Sequence, residues 1–407
     1  MLSRLRRKKI SPKLPKRFIA PSFIAVRDSI ESVAAFIGEE LQERFYFPSK
    51  RPFVVADENT WRLAGGQLFE DLPERESEKG YAIISSNNLS QVERVMSSFG
   101  EMPKYRRSRD PDRRYGGITH GSKEYDLIIA VGGGSVIDVA KYAAKKLNIP
   151  CISIPTSLAN DGFASRFAVL DLGTDGEQTL KANTPLGVIV NLEYIKPRDQ
   201  SDYAGFVRRI RSGIGDLLSN LTAALDWELA ASLSRWSHGY EKRDDYIRMQ
   251  ATQGAKLVLH EIAADGNVYE RDDFLKYLAF SLMQSAEAMG RYGSSRPGSG
   301  FEHKLYHAHK QVIEKRREAA SATHGEVVAI GALISSDAHN AGYDRLAEAY
   351  KRVGLPATAD NLAEIGISNN DLARAIDLSP TIKPQRYTIL ESKGTDYMKE
   401  SMMRVYG

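Results

Sequence analysis

Residues 126–141 constrain the fold most, because they join a short apolar run directly to a glycine-rich turn and an apolar helix start. The apolar run at 127–131 is too short for a buried helix and fits a buried strand. It is followed by three glycines and a serine: Gly132, Gly133, Gly134 and Ser135. Glycines at such a turn let backbone N–H groups approach an anion at a helix N-terminus, where the helix dipole favours negative charge. The segment predicts a phosphate-binding turn, although its spacing differs from the G-x-G-x-x-G pattern of dinucleotide-binding domains.

A second apolar strand at 150–155 leads directly into a polar loop at 156–165. This loop carries one acidic residue, Asp161, in a setting of mostly small residues. Loops that follow the carboxyl ends of consecutive strands form the ligand-binding crevice of an open α/β sheet. We therefore expect the glycine-rich turn and the Asp161 loop to contribute to the same site.

The rest of the pattern divides the chain into an α/β part and a helical part. Apolar residues at helical spacing predict an amphipathic helix over 26–45. Further strands are predicted at 52–56, 81–85 and 186–191. Alternating short strands and helices indicate a parallel sheet with crossover helices. Beyond about residue 198, long helix-forming segments replace the strands.

A chain of 407 residues exceeds what one hydrophobic core usually serves, so several folded parts are expected. We predict a basic, disordered segment at 1–25, an α/β dinucleotide-binding domain with a parallel sheet at 26–198, and an all-α metal- and substrate-binding domain at 199–407. The single cysteine, Cys151, lies in an apolar strand, which favours a core residue over a nucleophile. With one cysteine and no apolar run near the ~20 residues that cross a bilayer, we expect a cytoplasmic protein without a transmembrane segment.

The net charge of +4 hides an uneven distribution. Residues 1–17 contain eight Lys or Arg and no acidic residue, and without those eight charges the rest of the chain has a net charge of about −4. This segment fits a solvated arm better than a nucleic-acid or membrane contact, and we expect no nucleic-acid partner. A second basic cluster at 104–114 falls in a charged stretch at 102–123 that predicts an exposed insertion.

Potential metal ligands lie at three places in the helical part. Asp216 is predicted to lie at the start of a long helix, His303 and His307 stand four residues apart on one helical face, and His324 opens another apolar helix. Two imidazoles and one carboxylate leave a coordination position open for a substrate, as a catalytic zinc site requires. Taken singly, an aspartate near a helix start is usually a cap and a histidine pair is usually a surface feature, so these residues alone leave the alternatives open.

Seven ordered segments together resemble one known superfamily. They are residues 131–141, 155–165, 184–189, 215–227, 294–303, 324–326 and 384–391. The chain is similar over roughly residues 50–390 to the superfamily of iron-containing alcohol dehydrogenases, glycerol dehydrogenases and dehydroquinate synthases, and most closely to its glycerol-1-phosphate dehydrogenases. The resemblance implies an α/β nucleotide-binding domain followed by a helical metal-binding domain.

The resemblance also implies the cofactors and the residues that bind them. Asp216, His303 and His324 would hold a metal, expected to be Zn²⁺, with Fe²⁺ and Ni²⁺ open as alternatives. Asp57 would bond the adenosine ribose of NAD(H) or NADP(H), and an acid there would disfavour a 2′-phosphate. The other expected cofactor-binding residues are Gly132, Gly133, Gly134, Ser135, Asp138, Thr156 and Ser157.

For the reaction, the resemblance implies reduction of dihydroxyacetone phosphate to sn-glycerol 1-phosphate. Asp161 would approach the substrate hydroxyls, and His307 would relay a proton as a catalytic residue. The substrate would be a small phosphorylated ketone, whose phosphate needs cationic ligands. The candidates near the matching segments are Arg166, Lys181, Arg296 and Lys304. Homo-oligomers are usual in the superfamily, so self-association is expected.

Three alternatives stay open at the level of sequence. One is a related dehydrogenase that acts on another polyol, aldehyde or phosphorylated ketone. Another is a dehydroquinate-synthase-like cyclase that uses the cofactor transiently, and the third is a binding protein that retains the fold without catalysis. Ser135, Arg166 and Asn191 depart from the residues common in the family, and these departures leave the substrate identity open.

Overall fold

The structure is a computed structural model that describes residues 20–45, 49, 51–72, 79–99, 125–173, 176–315 and 322–407. The basic segment at 1–17 and the insertion predicted at 102–123 lie outside the described residues. In the part of the chain that is described, no helix is both long and apolar enough to cross a membrane.

A six-stranded sheet forms the first part of the structure, with the strand order β1-β8-β5-β4-β2-β3. Every neighbouring pair in it is parallel, so the predicted fold class is confirmed. Its strands are β1 (Phe23–Arg27), β2 (Pro52–Asp57), β3 (Gly80–Ile84), β4 (Leu127–Gly132), β5 (Cys151–Pro155) and β8 (Gly187–Asn191). A two-stranded antiparallel sheet consists of β6 (Phe167–Asp171) and β7 (Glu177–Lys181).

Helices cover both faces of the large sheet. They are α1 (Val33–Phe45), α2 (Glu58–Thr60), α3 (Gly66–Asp71), α4 (Leu89–Ser97), α5 (Gly134–Leu147) and α6 (Leu192–Ile195). Along the central strand β4, Ile128 and Ala130 belong to one apolar cluster, whereas Ile129 and Val131 belong to the cluster on the opposite face. A strand buried on both faces in this way is expected to be a continuous apolar run, which residues 127–131 are.

The chain after β8 is helical. The helices are α7 (Gln200–Leu218), α8 (Asn220–Ser232), α9 (Asp245–Ala264), α10 (Asp272–Tyr292), α11 (Phe301–Lys315), α12 (His324–Ala338), α13 (Tyr343–Val353), α14 (Ala359–Glu364), α15 (Asn369–Leu378), α16 (Ile389–Lys393) and α17 (Thr395–Tyr406). One apolar cluster includes residues from both the sheet and these helices. The division into two domains at residue 198 therefore stays a prediction.

Two elements differ from the sequence-based prediction. The helix predicted over 26–45 begins only at Val33, because the residues before it form the edge strand β1, which pairs with β8. A side chain at Gly187 would lie 2.0 Å from the ring of Phe23, so the glycine makes room for this pairing. The β6–β7 hairpin was also not predicted, because β7 is partly exposed and lacks a long apolar run.

Candidate metal and cofactor site

Three potential metal ligands from three different helices converge. Asp216 lies near the end of α7, and its predicted place at a helix start is wrong. Asp216 Oδ1 lies 3.1 Å from His324 Nε2 and 3.5 Å from His303 Nε2. One ligand atom from each of the three residues lies within 4.8 Å of the others. A carboxylate and two imidazoles in this proximity form the donor set that Zn²⁺ and related divalent metals bind in catalytic sites. These three residues therefore fit the metal that the sequence predicts.

Glycines bring two of the three potential ligands, Asp216 and His324, together. A Cβ atom on Gly215 of α7 would lie 2.3 Å from the carbonyl oxygen of Gly325, and one on Gly325 would lie 1.8 Å from that of Ser212. A Cβ atom on Gly213 would similarly lie 1.8 Å from the carbonyl oxygen of Leu158. Any side chain at these positions would force α7 away from α12 and from the loop after β5. The close backbone approach places Asp216 beside His324.

Glu302 orients His303 from the side opposite Asp216. Its Oε1 atom lies 3.0 Å from His303 Nδ1, and Thr222 donates a hydrogen bond of 3.2 Å to its Oε2 atom. Glu302 is completely buried. A carboxylate that fixes the second nitrogen of a histidine sets the ring orientation and tautomer for metal binding. Glu302 was not predicted as a functional residue, although it directly precedes His303 in the sequence.

The charges of the potential ligands change one another's pKa values. Burial opposes the charged form of Asp216, but hydrogen bonds from His303 and His324 hold the pKa of this carboxyl well below its usual range. Burial likewise opposes protonation of His303, yet hydrogen bonds to Asp216 and Glu302 raise the pKa of this imidazole to about 9. Asp216 and Glu302 thus stabilise positive charge among the three potential ligands, and the same negative charge would stabilise a bound divalent cation.

Asp161 lies directly beside the ligand set. Its backbone N–H donates a hydrogen bond of 3.2 Å to Asp216 Oδ2, and the Ser285 hydroxyl donates one of 2.8 Å to its own Oδ2 atom. Burial, together with the negative charge of Asp216, raises the pKa of Asp161 to about 7. Asp161 is therefore placed to accept or share a proton at the metal-binding position.

A cleft of about 330 Å³ connects the ligand set with the glycine-rich turn. It is lined by Asp161, Asp216, His303, His307, His324, Gly134, Ser135 and Asp138 among others. His307 lies one helical turn after His303 on α11. Burial, and next the charge of Lys383, hold the pKa of His307 well below its usual range, so its imidazole is neutral. We name this space the metal cleft.

The turn between β4 and α5 has the shape of an anion site. A Cβ atom on Gly132 would lie 2.6 Å from the side chain of Val136, whereas one on Gly133 would enter open space. Gly133 is the residue that precedes α5, so the space beside it lies at the helix N-terminus. Thr156 donates its backbone N–H to the carbonyl of Gly132 at 3.1 Å, which joins the two predicted loops.

Asp57 lines a second cavity, of about 540 Å³, that also reaches Ser135. Its Oδ1 atom accepts the backbone N–H of Thr60 at 2.8 Å and so caps α2. Arg94 lines the same cavity. An acid at the end of β2, in a cavity adjoining the glycine-rich turn, is where the ribose of a dinucleotide is expected.

Asp138 and Ser157 differ from simple cofactor ligands. Asp138 forms an ion pair of 2.9 Å with Lys141 and accepts the backbone N–H of Val169 at 2.9 Å. Burial raises the pKa of Asp138 although the charge of Lys141 opposes this. The Ser157 hydroxyl has no hydrogen-bond partner among the described residues. Ser157 is thus free to bind a ligand, whereas Asp138 contributes to the cleft wall.

The predicted phosphate ligands do not meet in the metal cleft. Arg296 is completely buried and forms an ion pair of 2.7 Å with Glu241, and Lys304 forms one of 2.5 Å with Glu391. Neither residue lines the cleft, because these internal pairs hold both cations inside the helical part. Arg166 donates a long hydrogen bond of 3.4 Å to the carbonyl of Gly290, and Lys181 is exposed.

Lys141 also lies beside the candidate site, although the sequence did not predict a role for it. Its ammonium, which is completely buried, donates hydrogen bonds to the carbonyl oxygens of Gly162 at 2.6 Å, Ser165 at 3.0 Å and Phe167 at 2.6 Å. These bonds hold residues 162–167, directly after Asp161, against α5. The sequence signal was a lysine three residues after Asp138 in a mostly apolar helix start.

Known proteins are similar to this chain in sequence. A family model described as iron-containing alcohol dehydrogenase matches residues 29–197. The chain is 33% identical over 341 residues to a glycerol-1-phosphate dehydrogenase [NAD(P)+] of Pyrococcus horikoshii, covering 84% of this chain and 86% of the relative. The chain belongs to the glycerol-1-phosphate dehydrogenase family. A glycerol-1-phosphate dehydrogenase [NAD(P)+] of Hyperthermus butylicus is 31% identical to this chain over 369 residues. The match covers 90% of this chain and 93% of the relative.

Solved structures show the same fold at lower sequence identity. A probable glycerol dehydrogenase from Sinorhizobium meliloti 1021 has a TM-score of 0.66 and 17% identity, and covers 95% of this chain and 97% of its own. Maleylacetate reductase from Agrobacterium tumefaciens has a TM-score of 0.63 and 15% identity, and covers 96% of this chain and 97% of its own. This chain thus shares its fold with proteins named for different dehydrogenase and reductase activities.

Proposed function

We propose that this protein reduces dihydroxyacetone phosphate to sn-glycerol 1-phosphate, with NAD(H) or NADP(H) as hydride carrier and a divalent metal, expected to be Zn²⁺. The observation that carries the proposal is the convergence of Asp216, His303 and His324 beside Asp161, in the cleft that begins at the glycine-rich turn. The names of the relatives, glycerol-1-phosphate dehydrogenase [NAD(P)+], support the same activity.

In the proposed reaction, the bound metal supplies a Lewis acid for the ketone, and the nicotinamide supplies the hydride. Asp216, His303 and His324 hold the metal, and Glu302 fixes the ring of His303. The Gly132–Ser135 turn, with Thr156 and Ser157, receives the pyrophosphate and the neighbouring part of the cofactor, and Asp57 bonds the ribose.

Two further residues act on the substrate. Asp161, held by Ser285, accepts a hydrogen bond from a substrate hydroxyl and so orients the molecule. His307 is neutral in the cleft, so it relays a proton: one ring nitrogen takes a proton from solvent as the other gives one to the oxygen that becomes the product hydroxyl, directly or through a water molecule. The proton delivered to this oxygen and the hydride delivered to carbon together complete the reduction.

The test is oxidation of NADH and NADPH by the zinc-loaded protein with dihydroxyacetone phosphate, followed by chiral analysis of the product. We expect turnover that forms sn-glycerol 1-phosphate and that Asp216→Ala abolishes. Asp337→Ala is the matched control, because this carboxylate also lies on a C-terminal helix but pairs with Arg404 at 2.8 Å, and it retains activity. Zinc-bound protein without turnover on this substrate overturns the proposal and favours another ketone, polyol or aldehyde.

We also infer a homo-oligomer in the cytoplasm. Large apolar side chains are exposed on α9 and α10, namely Tyr246, Met249, Leu257, Tyr277 and Phe280, and such surfaces support self-association. The single cysteine, Cys151, is buried, which suits a reducing compartment. Light scattering on the eluting protein tests the first inference, and a monomeric mass contradicts it. Fractionation of the cells of origin tests the second.

A further inference from the structure

A third cavity, of about 680 Å³, adjoins the metal cleft. Glu177, Thr179 and His307 line both spaces, so the two meet at these side chains. The third cavity also contains two lysines, Lys310 and Lys383. A substrate held by its ketone at the metal ligands has its charged end directed along such a continuation of the cleft. The two lysines are therefore the first candidates to bind that end.

Lys310 is already neutralised. Its ammonium lies 2.6 Å from Glu177 Oε2 and 3.8 Å from Glu314 Oε1. The pair with Glu177 also removes an exposed negative charge from the place where the two spaces meet. An anionic ligand entering from the metal cleft thus meets neither a free carboxylate at Glu177 nor an available cation at Lys310.

Lys383 differs, because none of the described residues forms a hydrogen bond or an ion pair with its ammonium. Burial, together with the charges of Arg386 and Lys304, lowers the pKa of Lys383 to about 7. Its backbone is left-handed, with φ of 44°, and its carbonyl accepts the N–H of Arg386 at 2.8 Å. This conformation is strained for a residue other than glycine. The fold therefore retains a strained, unpaired cation at the cavity wall.

We propose that Lys383 binds the phosphoryl group of the substrate beside His307, while the ketone faces Asp216, His303 and His324. This deepens the proposed function and rests on it. The phosphoryl dianion supplies the negative charge that Lys383 lacks in the described structure. With Lys383 in this role, Arg296 and Lys304 do not need to leave their internal ion pairs.

The test compares Lys383→Met with wild type on dihydroxyacetone phosphate and on dihydroxyacetone, which lacks the phosphoryl group. Loss of one hydrogen bond to a charged group corresponds to about 10- to 100-fold in affinity. We expect KM for dihydroxyacetone phosphate to rise by that factor with little change in kcat, while kcat/KM for dihydroxyacetone stays unchanged. Lys383→Arg retains the charge and restores most of the affinity. Lys393→Met, on an exposed lysine of the same segment, is the control.

Further measurements separate a binding role from a structural one. Calorimetric titration of sn-glycerol 1-phosphate into the variants reports affinity without turnover, and Lys383→Gln serves if Lys383→Met does not fold. An equal loss on both substrates, or no loss relative to Lys393→Met, overturns the role of Lys383 while leaving the proposed function intact. If wild type itself does not reduce dihydroxyacetone phosphate, the proposed function fails and this inference falls with it.

Discussion

The hydroxyl of Ser285 on α10 donates a hydrogen bond of 2.8 Å to Oδ2 of Asp161, in the loop after β5. This bond joins the helical part of the chain to the α/β part at the candidate site. The same loop is held from the other side by Asp216, whose Oδ2 accepts the Asp161 N–H at 3.2 Å. The orientation of Asp161, a residue of the α/β part, therefore depends on two residues of the helical part.

Ser285→Ala tests this dependence. The variant removes the hydrogen bond to the Asp161 carboxylate and also the one of 3.0 Å that Ser285 accepts from Asn220 Nδ2. The bond to the carboxylate is worth about 1.5–3 kcal/mol, so we expect kcat/KM to fall about 10- to 100-fold. The affinity for zinc should stay unchanged, because Ser285 is not a ligand. Ser281→Ala, one turn earlier on α10, is the control. Unchanged kcat/KM in Ser285→Ala would show that Asp161 does not need this bond.

Glu302→Gln tests the orientation of His303. The amide keeps the size of the side chain but removes the charge that holds the imidazole at 3.0 Å. We expect zinc affinity, measured by competition with a chelator, to fall about 10- to 100-fold. Glu314→Gln, near the end of the same helix, is expected to bind zinc like wild type. Equal affinities in the two variants would contradict the orienting role.

The sequence predicted the parallel sheet and the metal ligands for different reasons. Strands such as β4 are buried on both faces, so their apolar runs are visible without knowledge of their neighbours. The candidate ligands Asp216, His303 and His324 were predicted from the resemblance of the ordered motifs, because helical spacing alone cannot bring residues from three helices together. The roles of Lys141 and Lys383 could not be predicted, since the role of a lysine depends on which residues, distant in sequence, surround it in the fold. For Lys141 these are carbonyls of residues 162–167, and for Lys383 no described partner exists.

Lys383 should also lower stability in a pH-dependent way. Its pKa in the folded protein is about 7, below the ordinary value of 10.5, because of burial and the charges of Arg386 and Lys304, which Glu302 only partly offsets. Below pH 7 the Lys383 amine is protonated in both the folded and the unfolded protein, so burial of its charge lowers the free energy of unfolding in full. As the pH rises from 7 to 10.5, the folded protein loses this proton before the unfolded protein does, so the free energy of unfolding increases. Lys383→Met should therefore raise the melting temperature most below pH 7 and least near pH 10.5. A gain independent of pH would contradict this.

Lys141→Met is expected to destabilise the protein through Asp138. The substitution leaves a buried carboxylate without its partner, and breaking such a pair costs about 3–5 kcal/mol in the free energy of unfolding. The double variant Lys141→Met with Asp138→Asn should recover part of this loss, since no charge is then left unpaired. Urea unfolding measures both, and Lys145→Met, one turn later, is the control. A double variant as unstable as the sum of the two single ones would exclude coupling.

The choice between NADH and NADPH should depend on Asp57. Its carboxylate lines the cavity next to the glycine-rich turn, where a 2′-phosphate would meet negative charge, whereas Arg94 in the same cavity would attract it. Asp57→Ser retains a side chain that can cap α2, so we expect the fold to be kept. The ratio of kcat/KM for NADPH to that for NADH should rise about 10-fold, the effect of roughly 1.4 kcal/mol. Glu58→Gln is the control, because it removes another negative charge from the same cavity. A similar rise in the NADPH-to-NADH ratio in that variant would show that Asp57 does not face the ribose.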